Sequence, residues 1–384
     1  MARTRRTRTR SYEVHTGTRK GTWIIDVTDK RVLTNTESCE DYVGRPVSDS
    51  VLNLSRYDRS QFHGMSGTNV GTGQNKVEYE RYPYSYQVGW TTSHMSTGAP
   101  SDAGQGAAIL ARTNPSRPTV VPFTIIQDLY DVPRMLKGVG KLLKTPRRLL
   151  SPHEAANQYL GAKFGWIPLI DDANKLIHIQ DYIHKRVGEL HRLYSAGGLK
   201  RRITLGNGTA SDSGAVMTLN SDLGVSPLIT GKLSRITEEK VWGTVRWRPT
   251  GTLPHYNPSD AELISKAKQV VSGFSTEGVI KGAWDLLPWT WMVDWFTNIG
   301  DWLSQSSSTI PASPVSCNLM RTRTTTVQHT IVNKPRWAED NGGSGTYVTK
   351  SRTPVSGTLS ASLPTLDANR LSILGALFVQ RFKR

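Results

Sequence analysis

The hydrophobic period of this chain switches back and forth between the two-residue repeat of a strand and the 3.6-residue repeat of a helix. That alternation limits the available folds more than any single motif does. Residues 11–122 read as β-rich. Thr22–Val27 and the alternating Lys76–Tyr82 are strand candidates there, and Gly, Ser, Thr, Asn and Pro separate such runs as in an antiparallel meander. Gly64–Gly73 reads as an exposed loop. From about Ile125 to Tyr194 the period is helical. After Pro168 the apolar Leu169, Ile170, Ala173, Leu176, Ile177, Ile183, Val187, Leu190 and Tyr194 recur mostly three and four apart, with Asp181 and Lys185 on the wet side and Gly197–Gly198 as the stop. Residues 199–257 turn β-rich again, most clearly at Glu239–Trp247. Residues 258–308 return to helix, opened by Pro258-Ser259-Asp260. Residues 314–360 read as strands and turns, with an exposed polar stretch at 341–346. A helix over about Asp367–Phe382 closes the chain.

These blocks are too long for βαβ units with a single crossover helix. The expectation is an α+β fold of two bodies interleaved in sequence, with about two domains' worth of residues in 384. Residues 11–122, 199–257 and 314–360 form an antiparallel sheet. Residues 123–198, 258–313 and 361–384 form a helical bundle. Residues 1–10 are a basic arm.

Charge narrows the partner. Lys plus Arg number 48 against 31 Asp plus Glu, a net charge of +17, with a pI near 9.9. That surplus calls for a polyanion: nucleic acid most simply, an anionic membrane surface otherwise. Cys39 and Cys317 are the only two cysteines, which fits neither a disulfide framework nor a zinc site and leaves one long-range disulfide open. The basic N-terminus lacks the apolar run of a secretory leader, and no run of eighteen apolar residues predicts a spanning helix.

Two basic segments are candidates for RNA contact. Arg3, Arg5, Arg6, Arg8 and Arg10 repel one another and predict a mobile arm, either a phosphate binder or a solubilising tail. Arg134, Lys137, Lys141, Lys144 and Arg148 follow helical steps, with Arg147 beside them and no acid between. A phosphate-tracking face, a membrane-surface helix and a solvated face compete there. In residues 283–303, Trp291, Trp295 and Trp302 share a helical face. They read as core, as does Trp166, with base stacking as the alternative for the face. Enzyme motifs fail on inspection. His153-Glu154-Ala155-Ala156-Asn157 lacks the second histidine of a zinc-protease helix, and Gly138-Val139-Gly140-Lys141 lacks the upstream glycine and the magnesium-binding hydroxyl of a phosphate loop. No catalytic residue, metal or cofactor is expected.

Two stretches carry a family resemblance: ANQYLGAKFGWIPLIDDANKL, residues 156–176, and AWDLLPWTWMVDWFTNIGDWL, residues 283–303. Together they resemble the hallmark segments of maturation (attachment) proteins of levivirus-type single-stranded RNA bacteriophages. The resemblance implies an elongated protein with a helical bundle and a bent antiparallel sheet. It implies one copy per virion in place of a coat-protein dimer, binding to the 3′ region of the genomic RNA, attachment to a host pilus through pilin, and entry with the RNA into the host cytoplasm. No small-molecule substrate is implied. An RNA-processing enzyme, an unrelated basic RNA-binding scaffold and a basic membrane-active protein remain the alternatives.

Overall fold

A computed structural model of the chain describes residues 4–22, 26–43, 50–71, 75–117, 159–160, 163, 178–195, 198–223, 228–250, 259–272, 309–357, 372–373 and 375–376. Ten strands occur among them: β1 (Thr4–Thr22), β2 (Asp26–Val43), β3 (Leu52–Phe62), β4 (Met65–Val70), β5 (Lys76–Tyr82), β6 (Leu199–Thr218), β7 (Thr230–Pro249), β8 (Ala312–Asn333), β9 (Ala338–Glu339) and β10 (Gly343–Pro354). They form one ten-stranded sheet in the order β6-β7-β8-β10-β3-β2-β1-β5-β4-β9. The helices are α1 (Ser85–Val88), α2 (Gln105–Thr113), α3 (Ile179–Tyr194) and α4 (Asp260–Ser272).

This corrects the expected fold class. The described residues are mostly antiparallel sheet with four helices, not a helical bundle joined to a sheet. α3 and α4 do pack on each other, burying Leu190, Leu193, Leu263, Ala267 and Val270. Sheet content was underread because several strands bury neither face and so lack the alternation that marks a strand. By contacts the chain divides into one unit of Met1–Ser101, Thr204–Gly243 and Asn318–Pro354, and another of Asp102–Ile203, Thr244–Cys317 and Val355–Arg384.

The expected mobile arm is a second correction. Thr4–Arg10 begin β1 and pair residue for residue with β2, from Thr4 opposite Val43 to Arg10 opposite Glu37. The repulsion among the arginines is met by carboxylates across the ladder. Arg5 pairs with Glu40, and Arg6 and Arg8 both reach Asp41. Thr22 ends β1 and stands opposite Asp26, which begins β2, so the expected strand over Thr22–Val27 is divided between two antiparallel strands. The expected loop at 64–73 contains β4, paired with β5 and β9. Gly67 permits this: its φ is +129, and a Cβ there would lie 1.9 Å from the Trp337 carbonyl oxygen. The 341–346 stretch is likewise not an open loop. β10 starts at Gly343 between β3 and β8, and Asp340 just before it is buried and accepts from the Gly342 N–H at 2.7 Å.

Other elements follow their sequence signals. Lys76–Tyr82 is β5, with Val77, Tyr79 and Tyr82 buried. Ser259 and Glu262 cap α4 reciprocally, backbone N–H to side chain in each direction, at 3.0 and 3.4 Å. α3 ends at Ser195, whose N–H bonds the His191 carbonyl, and Gly198 follows with φ +67.

Within the first unit, residues 89–101 run as an irregular strap across one face of the sheet. A polar backbone could not lie on a sheet without partners, and here β3, β7, β8 and β10 supply them. The Trp90 carbonyl accepts from Arg59 Nη2 at 2.7 Å and the Thr92 carbonyl from Tyr57 Oη at 3.1 Å, both on β3. The His94 ring bonds Thr325 of β8 and Thr349 of β10, each at 2.8 Å, and stacks on Tyr347. The Met95 N–H donates to Thr237 of β7. Thr97 Oγ1 donates to Glu239, and the Pro100 carbonyl accepts from Arg321 Nη2 at 2.8 Å. At β6, a Cβ on Gly208 would collide with Thr97 at 2.6 Å. Beneath the start of the strap, Leu33, Phe62, Trp90 and Val327 form a core cluster.

Candidate nucleic-acid interface

The sequence placed RNA contact on two basic segments, and the structure describes one of them. Arg134, Lys137, Lys141, Lys144, Arg147 and Arg148 lie outside the described residues, as do Arg3 and the tryptophans Trp166, Trp291, Trp295 and Trp302. Arg5, Arg6, Arg8 and Arg10 lie in β1 and are exposed.

Strand geometry sorts these four. Side chains alternate faces, so Arg6, Arg8 and Arg10 share one face at steps of roughly 6.8 Å, and Arg5 points the other way. Pairing then extends their face across four strands. Arg8 lies opposite Cys39, Cys39 opposite Leu54, and Leu54 opposite Lys350. One row over, Arg10 lies opposite Glu37, Glu37 opposite Arg56, and Arg56 opposite Val348. The result is a shallow cavity of about 540 Å³, lined by Arg8, Arg10, Arg56 and Lys350 with the one carboxylate Glu37, over a floor of Cys39, Leu54 and Val348. Parity of the ladder places it on the face opposite the strap, since Tyr57, Tyr347 and Thr349 meet the strap and their neighbours Arg56, Val348 and Lys350 point away.

The charges on this face are loosely held. Arg6 bonds Asp41 through Nε at 3.0 Å and Nη2 at 2.8 Å, and Arg8 Nη2 reaches the same carboxylate at 3.1 Å. The hydrogen bond from Arg6 holds the Asp41 carboxyl below its ordinary range, helped by the charges of Arg8 and Arg352, and the same bond raises Arg6. Arg56 bridges Glu37 at 3.3 Å and Asp58 at 2.6 Å. Arg10 lies over the Tyr12 ring, 5.2 Å from its centre. Cys39 is a free thiol, as is Cys317, and Arg8 Nη2 lies 3.8 Å from the Cys39 sulfur. Exposed pairs of this kind are weak and screened by salt, so the arginines can exchange a carboxylate for a phosphate at little cost.

Sequence reasoning singled out Arg6, Arg8 and Arg10 but not Arg56, Lys350 and Arg352, which the pairing of β1, β2, β3 and β10 brings to the same face. Their own stretches carry a signal, since Lys350 and Arg352 alternate with Ser351. Nothing local says that β10 and β3 lie beside β2.

The fold and this face define a basic protein built on an antiparallel sheet. Its family follows from comparison with known proteins: the phage maturation protein family matches residues 135–333, just over half of the chain, and the chain belongs to that family. Both segments that carried the resemblance, 156–176 and 283–303, fall inside the match. The chain is 25% identical over 155 residues to maturation protein A2 of Enterobacteria phage SP, covering 39% of this chain and 30% of that protein. It is 26% identical over 176 residues to maturation protein A2 of Qbeta virus strain MX1, covering 44% and 37%. The matched region thus spans well under two thirds of either relative.

Proposed function

We propose that this chain acts as the maturation protein of an RNA phage particle: a virion component, carried in one copy in place of a coat-protein dimer, that binds the genomic RNA near its 3′ end, attaches to a host pilus and enters the cell with the RNA. Its work is recognition and attachment, without cofactor or metal and without turnover of a substrate. The observation that carries the RNA part is the face of β1, β2, β3 and β10, where Arg6, Arg8, Arg10, Arg56 and Lys350 gather on one side of a sheet in a family whose members are maturation proteins. Arginine and lysine on an open sheet neutralise a phosphate backbone without reading bases, so they would position RNA more than select it.

Binding of the full chain to the RNA of its own phage, titrated over a range of salt, tests this. Each neutralised phosphate adds about 0.7 to the salt slope for single strands. Replacing Arg6, Arg8 and Arg10 together by Gln should flatten the slope by about 2 units while far-ultraviolet circular dichroism is unchanged. A wild-type chain that fails to retain RNA at low salt would end the reading. An unchanged slope in the variant would remove this face from the interface.

A further inference from the structure

In the second unit, a different group of cations converges from three separate places in the sequence. α2 and the turn after it bring Arg112 and Arg117, α3 brings Lys185 and Arg186, and the start of β6 brings Arg201 and Arg202. Together they line a cavity of about 510 Å³, and Glu189 of α3 is the one carboxylate on that lining. Among the described residues of that lining, six carry a cation and one a carboxylate.

The floor is built and fixed. Arg186 and Arg201 are 11% and 16% exposed, and both bond the same Glu189 carboxylate, Arg186 at 3.0 Å. Arg186 also donates to the Arg117 carbonyl at 3.0 Å. Arg201 donates to the carbonyls of Thr113 and Asn114 at 2.8 and 3.1 Å. These bonds pin the 113–117 turn against α3 and β6. The single carboxylate is already shared by two guanidiniums, while Arg112, Arg117, Lys185 and Arg202 stand exposed around the rim. Burial, with the charges of Arg201 and Arg117 adding to it, pushes Arg186 down to about 10 in spite of Glu189. Two guanidiniums held close together on one carboxylate form a setting that a further anion would relieve.

We propose that this cavity is a phosphate-binding pocket that holds a backbone phosphate of single-stranded RNA, a second point of contact that rests on the RNA-binding reading above. The rim argues for a polymer over a free ion. The cations come from three elements, α2 with its following turn, α3 and β6, and the half-buried Tyr182 ring lies on the same lining. An adjoining base can stack on it.

The test uses the full chain and its phage RNA carrying 4-thiouridine. Arg112, Lys185 and Arg202 are replaced together by Gln; Arg186 and Arg201 are left in place so that the floor survives. The wild-type chain should crosslink at Tyr182, found in the peptide spanning 179–194. The variant should lose that crosslink and flatten the salt slope by about 2 units, three charges at about 0.7 each. Retention of both the crosslink and the slope in a folded variant overturns the pocket alone, because wild-type binding sensitive to Arg6, Arg8 and Arg10 would still uphold the general reading. No RNA binding by the wild-type chain overturns both. Inorganic phosphate at matched ionic strength supplies the last arm. If it protects Arg112 and Arg202 from phenylglyoxal while the RNA slope is the same in variant and wild type, the pocket is a free-phosphate site and the proposal fails.

Discussion

Glu239 is where the strap is most sharply tested. Its side chain is 3% exposed, and it accepts from Arg321 Nη1, from Arg323 Nε at 2.8 Å and from Thr97 of the strap. Glu239→Gln keeps the shape and removes the charge. Arg321, 12% exposed, is then left in a dry place with neutral acceptors such as the Pro100 carbonyl. Breaking a buried pair costs about 3–5 kcal/mol. Arg323 is 40% exposed and turns to water, so its share is small and the total falls near ~3 kcal/mol. Because the chain has two units, a single global unfolding energy is a poor readout, and amide exchange is the better one. Protection of peptides covering Thr230–Pro249 and Ala312–Asn333 should fall by about two decades, at ~1.4 kcal/mol per decade. The double change Glu239→Leu with Arg321→Met should restore most of it, because it removes both charges. A fall of less than about tenfold in the Gln variant, at that same ~1.4 kcal/mol per decade, would mean that the network is wet and does not hold the strap.

Two further outcomes follow from the same face and from the far edge of the sheet. Burial, aided by the nearby Arg323 charge, pulls the His94 imidazole down to about 4 from 6.5; the unfolded chain therefore takes up the proton first as pH drops. The stability this confers is present above about 6.5 and is lost as pH falls toward 4. Discounted for partial exposure it amounts to about 1–2 kcal/mol, and a His94→Gln variant should show a correspondingly shallower loss of exchange protection between these pH values; parallel curves would refute it. Gly67→Ala should detach β9 from β4 by forcing a Cβ onto the Trp337 carbonyl, with an intrinsic fluorescence change from Trp337 and faster exchange in 65–70. A variant with wild-type exchange there would show that the close approach is not needed.

The limits of reading this fold from sequence are set by what each strand buries. β5 was legible because Val77 and Tyr79 alternate with charged residues into a core against Met65 and Tyr84, which Tyr82 joins after the break at Arg81. The second half of β7 was legible because Val241, Val245 and Trp247 alternate in the same way. Residues 4–10 were not, since both of their faces are exposed; the ladder to β2 is held by main-chain bonds and cross-strand ion pairs, which leave no hydrophobic period. The strap left no trace either. Its polar residues are satisfied by Thr237, Thr325 and Thr349, which come from three strands distant in sequence. The two RNA contacts proposed here share that difficulty. Arg6, Arg8 and Arg10 were visible as a run, but their partners Arg56 and Lys350 were not, and the Arg186–Arg201 floor joins residues whose neighbours gave no motif.

The two arginine sites differ in what they would contribute to binding. On β1 each exposed arginine already has a carboxylate or an aromatic ring beside it. A phosphate arriving there replaces a weak, solvent-screened partner, so the site adds affinity in proportion to counterions released and gains little from being there first. In the second unit the guanidiniums of Arg186 and Arg201 are held in place by carbonyls before any ligand arrives. Their order is a cost met in folding, so a phosphate seated there meets donors that need no further fixing. An open, loosely paired face suits the capture of RNA in many registers, while a pre-ordered pocket suits holding one phosphate in one place. On the reading proposed above, a protein that first finds its RNA and then stays on it has use for both.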